Sequence, residues 1–197
     1  MLGFGDTMKR FSLMLVFMAL VLVLFGCSGK KQPAETDTPV VPEVNENDTE
    51  MVEEVKEPVA TLLNLYFPDD QALYLHNEQR VVGVTEDEQL EMVILEQLFK
   101  GPKNEGLSPS LEGENLINSV STDEKGLCTV DFKGDFVLLN TGGTARESFV
   151  IGSIVNSLCS LENVNSVKIN IDGNTNAEFG HSTLDSVFTA QDDLIFE

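Results

Sequence analysis

Leu-Ile-Asn-Ser-Val-Ser-Thr-Asp-Glu-Lys-Gly-Leu-Cys-Thr-Val-Asp-Phe, residues 116–132, is the stretch on which the fold turns. Its second half alternates. Cys128, Val130 and Phe132 fall on one side of an extended chain, Thr129 and Asp131 on the other, which is the period of a strand with one buried face. Asp123-Glu124-Lys125-Gly126 supplies turn residues between this strand and another over residues 116–121. The two read as an antiparallel hairpin with a four-residue loop. A hairpin here, between two helical segments, separates an α+β chain from a strictly alternating α/β one.

Helical periods lie on both sides of it. Thr85-Glu86-Asp87-Glu88 reads as a capping box, with Thr85 as cap and Glu88 reaching back. Leu90, Val93, Ile94 and Leu98 then share one helical face, Leu95 and Phe99 widen it, and Gly101-Pro102 ends it. Downstream, residues 136–139 continue the apolar content and Gly142-Gly143 breaks the chain. Thr144-Ala145-Arg146-Glu147 is a second capping box, opening a helix to about Leu161 with Val150, Ile154, Leu158 and Leu161 in register.

The flanks complete the pattern. Residues 61–67 read as a strand closed by Pro68-Asp69-Asp70. Residues 72–75 and 79–84 read as a second strand or a hairpin, with Asn77 near the bend. Residues 164–171 form a further strand closed at Asp172-Gly173. In the ambiguous tail from Phe179 onward, Val187 and Phe188 suggest one more short pairing. The order β-β-α-β-β-α-β predicts an α+β fold, a small, mostly antiparallel sheet with two helices packed on one face. It occupies one domain over residues 59–197.

The first 58 residues have a different character. Lys9 and Arg10 precede an apolar run from Phe11 to Phe25, interrupted by Ser12. A basic n-region, an apolar h-region and small residues at the cut mark a secretory signal peptide over residues 1–26. The run is short for a membrane span, which needs about 20 apolar residues. A start at Met8, directly before Lys9, is more typical than one at Met1. Leu24-Phe25-Gly26-Cys27 resembles the lipobox of bacterial lipoproteins. That resemblance implies that Cys27 becomes the first mature residue, carries a thioether-linked diacylglycerol and acylation such as palmitate, and holds the protein on the outer face of the cell membrane. Ser28 follows, so no aspartate marks retention in an inner membrane.

Residues 28–58 hold four of the seven prolines, no aromatic residue, and nine acids against three lysines. Such a segment buries too little apolar area to offset the entropy of ordering it. It reads as a self-repelling acidic linker, residues 27–58 together forming the lipidated cysteine and its tether. About 31 flexible residues span on the order of 30 Å, and more with charge repulsion.

The whole chain of 197 residues carries a formal charge of −21, from 12 Lys and Arg against 33 Asp and Glu. Residues 59–197 hold seven basic and 23 acidic residues. No basic stripe exists to meet a phosphate backbone, which argues against nucleic acid as a partner.

The domain's short motifs, taken in order, resemble the GerMN domain of sporulation and spore-germination proteins. They are Leu65-Tyr66-Phe67-Pro68-Asp69, Leu98-Phe99-Lys100-Gly101-Pro102, and Val130-Asp131-Phe132 followed by Phe136. Ile154-Val155-Asn156-Ser157-Leu158 and Val167-Lys168-Ile169-Asn170-Ile171-Asp172-Gly173 complete the set. The resemblance covers nearly all of residues 60–175. It implies a fold similar to the ring-building modules of secretion-system and spore-channel proteins, and a non-enzymatic interaction domain outside the membrane. Its partners would be envelope proteins or copies of itself. The best-known germination member carries two such domains in tandem, and this chain has room for one.

Catalysis is the competing class. His76 and His181 are the only imidazoles, no Gly-x-Ser-x-Gly elbow, Walker loop or Gly-x-Gly-x-x-Gly is present, and both histidines read as solvated, His76 beside a turn and His181 in a loop after Gly180. Asp69-Asp70 and Glu86-Asp87-Glu88 read as turn and helix-start acids. Asp172-Gly173-Asn174-Thr175-Asn176-Ala177-Glu178 starts like a Ca²⁺ loop, but Ala177 stands where such a loop needs Gly and Thr183 where it needs Glu. No catalytic, cofactor or metal residue is therefore assigned. Cys128 and Cys159 read as core thiols, with a disulfide permitted by export. A solute- or cell-wall-glycan-binding lipoprotein is the alternative reading, disfavoured because Trp is absent and Tyr66 and Tyr74 are the only tyrosines.

Overall fold

In the computed structural model, residues 57–196 are described; the leader, Cys27 and all but the end of the linker lie outside the described residues. A long antiparallel ribbon opens the domain. β1 (Val59–Pro68) pairs with β2 (Leu75–Val84) in one continuous register, Val59 opposite Val84 and Pro68 opposite Leu75. Leu63, Leu65 and Phe67 alternate into the core. Asn77 lies inside β2, opposite Tyr66, and the bend falls instead at residues 69–74. There the Asp69 carboxylate accepts the backbone N–H groups of Gln71, Leu73 and Tyr74. This is the Asx-type closure that Pro-Asp sequences favour.

The two helices of the sequence pattern are present. α1 (Leu90–Phe99) buries Val93, Ile94, Leu95 and Leu98. The expected capping box forms one turn early. Glu88 accepts the N–H and the hydroxyl of Thr85, but Gln89 is the N-cap. Gly101 ends the helix in the left-handed region, φ +74, as a helix-terminating glycine does.

β3 (Ile117–Thr122) and β4 (Leu127–Phe132) make the antiparallel hairpin, with a bulge between Ile117 and Ser119. Residues 135–140 form a short helix, α2 (Asp135–Asn140), whose Phe136 stacks on Phe132 with centroids 4.1 Å apart. α3 (Thr144–Leu158) is buried continuously from Phe149 to Leu158 and packs against β1, α1, α2 and β5. Its N-cap is Gly143, one residue ahead of the expected Thr144, and it ends at Leu158 instead of Leu161. β5 (Ser166–Ile171) then lies parallel to β4, with α2 and α3 in the crossover that parallel pairing requires. β6 (Glu178–Phe179) and β7 (Ser182–Thr183) make a small hairpin, and β8 (Val187–Phe188) pairs antiparallel with β5.

The fold is α+β with mostly antiparallel pairing. The strands are divided among the β1–β2 ribbon, a four-stranded sheet in the order β3-β4-β5-β8, and the β6–β7 hairpin. Among the described residues no helix is long and apolar enough to cross a membrane.

Candidate interaction surface

The titratable residues singled out by sequence are held in structural roles. Asp69 and Asp70 point to different partners. Asp69 closes its turn, while Asp70 accepts the Ser108 hydroxyl at 2.9 Å. The backbone N–H of Leu73 first, against the cost of burial, then those of Tyr74 and Gln71 and the His76 ring, hold the Asp69 carboxyl below its ordinary range. His76 is half-buried, where a solvated ring was expected. Its Nε2 is 3.6 Å from Asp69 and its ring stacks on Phe196 at 4.7 Å. The His181 ring is exposed, with Nδ1 3.3 Å from Glu147. Neither histidine is hydrogen-bonded to a serine or cysteine among the described residues. In the Asp172 loop the oxygens diverge. Asp172 accepts from Gly134 N–H and from Asn118, Asn174 accepts from Asn176 N–H, and Ala177 is buried. Cys128 and Cys159 are free thiols, and burial pushes the Cys128 thiol up to about 11.

Two carboxylates are buried, Glu78, to which the sequence assigned no role, and Glu147, read as the acid of a capping box. Glu78 and Arg80 sit side by side on the inward face of β2, 2% and 3% exposed. Arg80 pairs with Glu78 and donates to the carbonyls of Gln97 and Gly101, capping the C-terminal end of α1 with a cation where the helix dipole favours one. Its guanidinium also lies 5.9 Å from the centre of the Phe67 ring. The other Glu78 oxygen accepts the N–H groups of Lys103 and Asn104. Burial alone would raise Glu78, but the Asn104 N–H, Arg80 and the Lys103 N–H together hold it below the ordinary carboxylate range. The pair thereby pins the Gly-Pro turn after α1 to the ribbon. Glu147, wholly buried near the start of α3, accepts the N–H groups of His181 and Gly143 and so ties the β6–β7 hairpin to that helix.

This framework positions a trough of about 460 Å³ between α1 and the entry to β3. Met92 and Phe99 on α1 face Leu116 and Ile117 across it. α1 is fixed to the far end of β3 by Glu91, which accepts from the Thr122 hydroxyl at 2.8 Å and from Asn163 at 3.0 Å. The opposite wall is fixed by buried Asn140, which bonds both backbone groups of Glu112. Gly113, at φ +105, passes so close to Leu139 that an added Cβ would lie 2.9 Å from its side chain. Glu96, Glu114 and Lys100 stand on the rim. An adjoining hollow of about 280 Å³ shares Met92 and Glu96 and adds Asp87 and Glu88. The arrangement offers apolar contact, an acidic rim and backbone groups, and nothing that performs bond chemistry. A second hollow, of about 520 Å³, lies at the ribbon's turn beside Tyr74, His76 and Phe196.

The sequence profile of the Germane family, described as sporulation and spore germination, matches residues 64–177, more than half of the chain. The chain belongs to the Germane family. The matched interval contains the buried Glu78–Arg80 pair, α1 and both walls of the trough. Among solved structures, the chain is similar to the tandem GerMN domains of the sporulation protein GerM from Bacillus subtilis. The TM-score is 0.52 at 20% identity, over 70% of this chain and 46% of that one. It is also similar to the first GerMN domain of that protein alone, with a TM-score of 0.49 at 18% identity, over 68% of this chain and 96% of that one. At this identity the tandem structure shows a shared fold, and this chain spans under half of its length. No curated protein sequence matches the chain.

Proposed function

We propose that the chain is a lipid-anchored extracytoplasmic protein whose Germane domain acts by binding, without catalysis, in sporulation, germination or envelope assembly. The observation that carries this reading is the Leu24-Phe25-Gly26-Cys27 box, followed by an acidic tether and then by a Germane-family domain. The tether sets the domain's reach from the membrane, and its acids keep that domain off anionic headgroups. Glu78 and Glu147 are engaged by backbone donors that hold the Gly-Pro turn and the β6–β7 hairpin in place. Partners are membrane lipid through Cys27 and envelope proteins or copies of the chain itself, not nucleic acid. A pull-down from envelope fractions with the tagged, lipidated chain tests it. Retention of a stoichiometric protein partner is the expected result. A second reading, a glycan-binding lipoprotein, draws on the Tyr74–Phe196 contact, 5.7 Å between ring centroids, beside the 520 Å³ hollow. Retention of glycan alone would favour it over the first.

A further inference from the structure

We propose that the trough between α1 and β3 binds an extended, basic segment of a protein partner, which adds a strand to the free edge of β3. The inference deepens the binding reading above and rests on it.

The sequence puts β3 at the end of its sheet. The order β3-β4-β5-β8 leaves β3 with β4 on one side and, among the described residues, no strand on the other. An unpaired strand edge is a template for another extended chain. Backbone groups of two other strands are satisfied in part, and β2 and β8 also stand at the ends of their sheets. On β1, Ser157 accepts the Tyr66 N–H at 2.9 Å and Ser160 donates to the Asn64 carbonyl. On β5, two residues are covered by β8. Alongside β3, α1 reaches Thr122 through Glu91, and at Ile117, the first residue of the strand, lies the apolar floor of the trough, made with Met92, Phe99 and Leu116.

Charge chooses the occupant. Glu88, Glu96 and Glu114 border the trough and its adjoining hollow, and among the described residues Lys100 is the basic residue lining them. Glu96 and Glu114 are exposed and form no ion pair among the described residues. The domain as a whole holds 23 acids against seven bases, so the field at the trough is reinforced by its surroundings. A strand presents alternate side chains to opposite faces. A segment alternating apolar and basic residues therefore seats its apolar side chains on the floor while its cations meet the rim. A second copy of this acidic chain, or its own acidic linker, carries the wrong sign.

Fluorescence anisotropy with the full chain in non-ionic detergent tests this. The probe is a short fluorescein-labelled peptide alternating Lys and Leu. Controls are the same peptide with Glu for Lys, and a version N-methylated on alternate amides, which cannot donate to a strand edge. At about 0.1 M salt, where distant charges are screened, the Lys–Leu peptide binds and the Glu–Leu peptide does not. Glu96→Lys with Glu114→Lys weakens binding by about tenfold or more, N-methylation does likewise, and Glu178→Lys with Asp193→Lys, the same change of charge at exposed sites outside β3 and the trough, changes it less than about twofold. Equal weakening by the two double variants, undiminished binding of the N-methylated peptide, or no binding of the Lys–Leu peptide overturns the proposal. If the pull-down still retains an envelope protein in any of these cases, the trough assignment fails and the binding reading stands.

Discussion

Arg80 and Glu78 illustrate how a charged pair can become a structural pin. Both are buried, both lie on the core face of β2, and between them they satisfy carbonyls and N–H groups from the turn after α1. Removing one partner leaves the other's charge buried and alone, so Arg80→Ala should cost about 3–5 kcal/mol in urea unfolding, while replacing both by leucine should cost less than the single change. A loss under about 1 kcal/mol for Arg80→Ala would mean that the pair is not holding the turn. The same pair explains a misreading. Charges at two inward positions broke the apolar alternation of β2, and the period-two pattern consequently placed a bend at Asn77. Acid should act on this layer too. Asp69, Glu78 and Glu91 are held below their ordinary values of 3.8, 4.5 and 4.5. A carboxylate depressed in the folded state stabilises it above its unfolded value, and that contribution fades as the pH falls through the folded value. The urea midpoint should therefore hold near neutrality and drop as the pH goes from about 5 to 3. A midpoint that rises over that range would contradict the sign.

Elements were legible in proportion to how locally they are specified. α1 and α3 announced themselves through apolar spacing over ten and fifteen residues, and the β3–β4 hairpin through alternation around a turn. α2 has six residues, too few for a helical period to stand out from an apolar run, and it owes its form to Phe136 packing on Phe132 and Phe179. The parallel pairing of β5 with β4 is a long-range choice, and no local pattern records it. The β3–β4 turn itself makes a sharp prediction. Gly126 has φ +79, and a side chain there would run into the Asn165 amide, whose residue donates its N–H to the Gly126 carbonyl. Gly126→Ala should destabilise the domain by about 1–3 kcal/mol in urea unfolding. Ser157→Ala should cost about 1–3 kcal/mol, because it strips the Tyr66 N–H of its buried acceptor. Wild-type stability in either variant would refute the corresponding contact.

At the scale of the whole molecule, the family resemblance placed the domain correctly among GerMN folds. It did not disclose the trough. Its walls come from residues 92–100 and 113–117, separated by the turn that Glu78 and Arg80 pin, and only the folded chain brings Met92 and Phe99 against Leu116 and Ile117. Charge takes on position at this scale as well. Of the acids behind the net −21 of the sequence, Glu96 and Glu114 stand exposed on the rim of the trough beside Lys100. We propose above that lipid on Cys27 fixes this chain to a membrane. Intact-mass measurement of the protein recovered from membranes of a bacterial host tests that claim most directly. The expected species is a mature chain beginning at Cys27 and carrying a diacylglycerol, with Cys27→Ala left unacylated and released by carbonate washing. An unmodified Cys27 behind an uncleaved leader, or a Cys27→Ala chain that stays in the washed membrane, would contradict it.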